Sequence, residues 1–189
     1  MKHLARRFGR NERGAAAVEF ALILPFLLML YLGSIEGSSL FTVDRRVEVI
    51  SGTMADLVAR WNPNTGILPQ DTLKDYFKAA QGIITPYSST GLTQVVTVVK
   101  VNAAGDAAAV VWGCGWNGGV AGATNSSYTL GAQMLLRSKG GYVITAKTRY
   151  SYKPVLGMVF TSAINLENEA VFLPRFGAEI QKPTAGCPT

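Results

Sequence analysis

Between Ala15 and Ile35 the chain reads AAAVEFALILPFLLMLYLGSI, 21 residues with a single charge, Glu19. At the helical rise this run spans roughly 31 Å, about one hydrocarbon core. The pattern then changes from continuous to periodic. Val43, Val47, Ile50, Met54, Leu57 and Trp61 recur at spacings of four, three, four, three and four, which is one apolar face of an amphipathic helix. Glu36, Asp44, Arg45, Arg46, Glu48 and Asp56 fall mostly off that face. One long helix from about Ala15 to Trp61 follows, its first half in lipid and its second packed on a sheet. Ser38, Ser39, Gly52 and Pro63 mark where it loosens or stops.

Further along, Pro69-Gln70-Asp71-Thr72 is a turn and cap signal, and Leu73, Phe77 and Ala80 place a second, short helix after it. TQVVTVVKV (93–101), a turn over 102–106 and AAAVVWG (107–113) read as a β-hairpin. Over 142–153 the alternation is clean, with Tyr142, Ile144, Ala146, Thr148, Tyr150 and Tyr152 on one face and Val143, Thr145, Lys147, Arg149, Ser151 and Lys153 on the other, one side covered and the other wet. INLENEAVFL (164–173) offers a weaker fourth strand. The fold class is therefore α+β, a long amino-terminal helix on a small antiparallel sheet. Between Trp112 and Gly131 lies GCGWNGGVAGATNSSYTLG, long for a connection inside a domain and expected as a flexible loop. Trp116 and Tyr128 are its candidates for stacking on a sugar or a partner. Its glycines have no phosphate-loop order, so a nucleotide site is excluded.

Charge changes the picture at one end only. The 18 Lys and Arg against 12 Asp and Glu give +6, yet Lys2, Arg6, Arg7, Arg10 and Arg13 stand against Glu12 alone in residues 1–14. Without that segment the balance is 13 against 11, so the basic character orients a membrane protein and does not build a nucleic-acid face. The expected organisation is a basic leader over 1–14, a transmembrane helix over 15–35 and a single translocated body over 36–189. The run is long for a secretory signal, and GSIEGSSLF after it is a poor cleavage site. His3 is the only histidine, which excludes a Ser-His-Asp triad, a Cys-His dyad and a histidine-bearing zinc site in the body. Two cysteines, Cys114 and Cys187, are too few for a four-thiolate site, and no metal or cofactor is expected. In an oxidising compartment this pair reads as a disulfide, with free thiols or intermolecular pairing as the alternatives.

Glu19 sits about one turn into the apolar run, where an ionised carboxylate costs up to roughly 2.5 to 3.5 kcal/mol, less near the interface. A carboxylate at a helix end can reach the interface; alternatively it meets a cation, and a free amino terminus at Ala15 would supply one. A cut after Gly14 makes Ala15 the first residue and Glu19 the fifth. The short basic leader, Gly14 and the run after it resemble the class III, prepilin-type signal of type IV pilins. More narrowly, RGAAAVEFALILPFLLMLYLGSIE resembles the start of the TadE-like family, minor pilins or pseudopilins of the tight adherence (Flp) pilus.

That resemblance implies cleavage between Gly14 and Ala15 by the prepilin peptidase, and pairing of Glu19 with a neighbour's new amino terminus. It implies as partners other pilins and minor pilins and the inner-membrane assembly platform. The location would be a bacterial inner membrane, amino terminus cytoplasmic and body periplasmic, with passage into a surface pilus. The role would be initiation, assembly or tip-mediated adhesion, without chemistry of its own. Gly33 and Gly37 form a GxxxG spacing, a close-approach face for another helix. TRYSYKPVLG and NEAVFLPRFG are similar to the tyrosine-rich strand and terminal Pro-Arg strand of that family; from 62 to 140 the resemblance is silent. A different class of function is an uncleaved, signal-anchored receptor or adhesin binding through the glycine-rich loop. A third is a hydrolase using Glu167 and Glu169, two apart on one strand face.

Overall fold

The long helix expected from Ala15 to Trp61 is α1, Glu12–Ala59, unbroken through Pro25 in the computed structural model. The structure describes residues 12–154, 157–158 and 160–188, so most of the basic leader lies outside the described residues. Two compact units divide the chain, one made of residues up to Leu40 with Lys153–Ser162, the other of Phe41–Tyr152 with the residues from Ala163 onward.

In the first unit every residue of α1 from Gly14 to Tyr31 is exposed, including Val18, Phe20, Leu22 and the run from Phe26 to Tyr31. Leaving one such side chain in water costs about 1.5 to 3 kcal/mol relative to burying it, so a bare stripe of this length is a lipid or partner surface. This helix is long and apolar enough to cross a membrane.

The second unit holds the core. After the 3-10 turn Pro63–Thr65 come α2 (Gln70–Gly82), the turn Ser89–Gly91, β1 (Leu92–Val101), β2 (Ala108–Trp116), α3 (Ala132–Arg137), β3 (Tyr142–Tyr152) and β4 (Ile164–Phe172). The four strands form one antiparallel sheet in the order β2-β1-β3-β4. Val43, Val47, Ile50 and Met54 of α1 are buried as their spacing demands, but the stripe then drifts to Val58, leaving Leu57 half-buried and Trp61 past the helix end. A straight helix turns slightly more slowly per residue than the repeat of its apolar pattern, which moves the buried face by one position over a few turns.

One row of polar side chains locates both helices on the same sheet face. Gln94, Thr148 and Asn168 lie side by side across β1, β3 and β4. Gln94 Nε2 donates to Phe77 O of α2 at 3.2 Å, and Ser51 Oγ of α1 bonds Asn168 Oδ1 at 2.8 Å. Leu92, Val96 and Val98 of β1 and Ile144, Ala146 and Tyr150 of β3 fill that face.

The opposite face departs from expectation. Val143 and Thr145, placed on the wet side of β3 by alternation, are buried. Val143 belongs to a second cluster with Val99, Val101, Ala108 and Leu130, on which Tyr128, Met134, Leu135 and Val171 pack, and Thr145 Oγ1 meets the Tyr128 hydroxyl at 2.9 Å. Because both faces are covered here, the consecutive valines Val98 and Val99 of β1, which point to opposite faces, are both buried, beside a register irregularity in the β1–β2 pairing. The α3 turn that covers the cluster had no period long enough to read. Pro174 and Arg175 follow β4 and are not part of a strand, a correction to the terminal Pro-Arg strand.

Candidate functional site

In the amino-terminal segment, Gly14 and Ala15 lie in the first turns of α1, exposed. Glu19 is one turn further, also exposed among apolar side chains, with no ion pair among the described residues. Gly33 is half-buried, and at Gly37 an added Cβ would meet nothing within 4 Å, leaving that point of the helix open to close approach.

Glu36 is the residue that pattern reading misplaced. Counted among the solvent-side charges, it is only 3% exposed. Its carboxylate accepts the backbone N–H groups of Met158 at 2.9 Å and Phe160 at 3.1 Å, both in the same unit as this stretch of helix. A carboxylate accepting backbone amides tolerates burial because each bond is charge-assisted. No sequence signal links residue 36 to a segment more than 120 residues later.

The glycine-rich segment after β2 is also different from a loose loop. Gly113 and Gly115 present a flat strip on the outer sheet face, and the chain returns along it. A Cβ at Gly115 would lie 1.7 Å from Gly119 O, one at Gly119 would lie 2.2 Å from Gln94 O, and one at Gly113 would meet Ala121 Cβ at 2.6 Å. Glycine is used here for close backbone approach, not for mobility. Asn117, at φ 51°, bonds Leu92 O through Nδ2 at 2.6 Å, and residues 125–128 pair with the free edge of β2 through an Ala109–Ser127 bridge.

Trp116, expected as a stacking platform on this loop, belongs to the helix face instead. Its ring stacks on Phe77 at 5.8 Å and its Nε1 donates to Gln81 Oε1. Period-two placement explains this, since Trp116 is paired with Gln94 and shares its face. Cys114 is on that same face and is joined to Cys187, S–S 2.05 Å. The carboxyl tail is further held by Trp112 Nε1 donating to Ile180 O at 2.6 Å and Gln70 Nε2 to Cys187 O at 3.0 Å.

On the outer face, between the returning loop and the strands, lies a cleft of about 370 Å³. Thr93, Val95 and Thr97 of β1 and Lys147 and Arg149 of β3 form its floor; Tyr128 and Glu169 close one end. Lys147 Nζ is 2.7 Å from Glu167, whose other oxygen accepts from Arg149. The bonds from Lys147 and then Arg149 hold the Glu167 carboxyl below its usual range, so it stays ionised and makes a poor general acid. Glu169 accepts from the Tyr128 hydroxyl at 2.6 Å, and that oxygen also meets Thr145 Oγ1 at 2.9 Å. The two glutamates of the hydrolase reading are thus tied to different partners. Among the described residues no group of three or more His, Cys, Asp or Glu is placed to hold a metal ion.

Burial, with the bond to Glu169, pushes the Tyr128 phenol from 10.0 up to about 12. The folded protein therefore favours the neutral phenol, and its contribution is complete below pH 10 and fades as pH rises from 10 through about 12. Chemical denaturation of the full chain in detergent should show stability falling over that interval. In Tyr128→Phe the fall should be shallower, while stability at neutral pH is lower because two hydrogen bonds are gone. An alkaline profile identical in the two proteins would remove Tyr128 from the account.

Compared with known proteins, the chain has no match among curated proteins or solved structures. Among protein families, residues 14–49 match the family model described as TadE-like protein. That span opens on Gly14, takes in Glu19, Gly33, Glu36 and Gly37, and ends inside the amphipathic half of α1. Over residues 14–49, then, the chain is similar to TadE-like proteins.

Proposed function

We propose that the chain is a pilin-like subunit of a tight adherence pilus, a minor pilin or pseudopilin made as an inner-membrane precursor. The prepilin peptidase cuts it between Gly14 and Ala15, and it then acts in pilus initiation, assembly or tip-mediated adhesion. One observation carries the reading: a lone carboxylate, Glu19, stands five residues past Gly14 in a helix whose other side chains there are exposed and apolar. Such a charge is costly in lipid unless it has a partner, and cleavage creates one at the right depth. Its partners in this reading are sibling pilins, the peptidase and the assembly platform, and the body stands on the periplasmic side. The role needs no catalytic group.

Amino-terminal sequencing, or intact mass, of the protein from membranes with and without the prepilin peptidase tests this. The expected start is Ala15, reverting to Met1 when the peptidase is absent. A start at Met1 in both samples would replace the pilin route with a signal-anchored surface protein.

A further inference from the structure

The outer face of the sheet is divided. Its upper part is sealed by Leu130, Met134 and Leu135, whereas its lower part is left open beneath the glycine-rich segment. The wall on that side is held in place: Gly118 takes φ 85°, Gly119 rests against β1, and Asn117 is bonded to Ser89 O as well as Leu92 O. A cleft with a fixed wall loses little conformational freedom when it is filled. Its volume falls at the lower end of the range for small-molecule sites, roughly 300 to 1,000 Å³.

We propose that this cleft binds a neutral saccharide unit. The Thr93 hydroxyl, the Glu169 carboxylate and the Arg149 guanidinium give donors and acceptors suited to a polyol. Val95 lies in the floor and Val120, 88% exposed, stands on the rim, apolar surfaces against which the C–H face of a sugar ring can rest. Charge decides between sugar classes. Lys147 and Arg149 are both engaged with Glu167, and Glu169 adds a second carboxylate, so two cations face two anions. A phosphate or uronate would have to compete with Glu167 for its cations, while a neutral hydroxyl can share them. With Trp116 turned to the other sheet face, Tyr128 is the one aromatic among the described residues that line the cleft, so a single cleft binds weakly, with a Kd in about the millimolar range. On a filament, repetition or co-presentation with other subunits would multiply that weak contact. The assignment goes beyond the pilus reading and is independent of leader cleavage, since the cleft is built from residues 93–169 alone.

The test uses the full chain in an amine-oxide detergent, because sugar-headed detergents would occupy the cleft. Glucose, galactose and N-acetylglucosamine are the probes, with glucuronate and inorganic phosphate as charged comparators, followed by saturation-transfer NMR. At least one neutral sugar should bind, and Glu169→Gln or Val120→Glu should weaken it about tenfold or abolish it. Val120 is exposed, so that variant folds, and an unchanged near-ultraviolet circular dichroism spectrum checks both. Asp71→Ala, on the exposed side of α2, should bind as the parent does. Binding of glucuronate or phosphate alone, no binding of any neutral sugar, or binding untouched in both variants would overturn the proposal, whatever the amino terminus proves to be.

Discussion

Cys187→Ser should lower the stability of the body by about 4 kcal/mol, on the order of a 2 M shift in urea midpoint. The bond between Cys114 and Cys187 spans 73 residues of sequence, and cutting it returns that loop's freedom to the unfolded chain. Strain or residual structure in the unfolded state would reduce the figure. The tail keeps two other ties, from Trp112 Nε1 to Ile180 O and from Gln70 Nε2 to Cys187 O, each worth about 1 kcal/mol net. Those bonds place the tail against β2 and α2 but do not constrain the unfolded state, so they cannot replace the covalent link. Cys114 is fully buried and Cys187 half-buried, so the single change at 187 leaves only a small apolar thiol in the core. Urea unfolding of the oxidised parent and of Cys187→Ser, both as full chains in detergent, measures the difference. A loss below about 1 kcal/mol would mean that the hydrogen bonds hold the tail and that the disulfide is mechanically redundant.

What could be read in advance divides along a physical line. The long helix was legible because two separate periods, a continuous apolar run and a 3.6-residue stripe, agree on helix from Ala15 onward, and no breaker stronger than Pro25 intervenes. The α2 helix and all four strands were legible from local pattern, as was the shared face of Ile144, Ala146, Thr148 and Tyr150. Features that depend on remote chain were not. Glu36 looks like any charge beyond an apolar segment until Met158 and Phe160 bring their amides to it. Val143 and Thr145 occupy nominally wet positions, and what lies over them, Leu130 and α3 at Val143 and Tyr128 at Thr145, arrives from other parts of the chain.

The glycine-rich segment shows the same limit from the opposite direction. Its composition matched a flexible connection, because glycines needed for close packing and glycines that confer freedom are identical in sequence. Only the close contacts, of Gly113 with Ala121 and of Gly115 and Gly119 with neighbouring backbone, tell the two apart. The cleft was half legible: alternation put Lys147 and Arg149 on one face, and Glu167 and Glu169 on one face of another strand. Adjacency of β3 and β4, in a register pairing Arg149 with Glu167 and Lys147 with Glu169, was not.

Glu19→Ala should leave membrane insertion and leader cleavage intact and lower recovery in sheared pili at least about tenfold. Insertion is eased by the change, since removing an ionised carboxylate near the end of a spanning helix relieves a cost of up to about 3 kcal/mol. Assembly is affected in the opposite sense. Opposite unit charges about 4 Å apart attract by about 4 kcal/mol at an effective dielectric of 20, and in the proposed filament Glu19 meets the amino group that cleavage frees at Ala15 of a neighbour. Without that attraction a subunit has only its apolar helix face, which lipid satisfies as well as another helix does. Glu19→Gln separates charge from shape: it keeps the side-chain length and hydrogen-bonding capacity but loses the ion pair, and it should fall almost as far as Glu19→Ala. Quantifying the protein in membrane and sheared-pilus fractions, with the mature start at Ala15 verified in both, gives the comparison. Parental recovery of both variants in pili would assign Glu19 to the helix-end role, a carboxylate reaching the interface, and would move the assembly contact elsewhere on α1, with Gly33 and Gly37 as the next positions to vary.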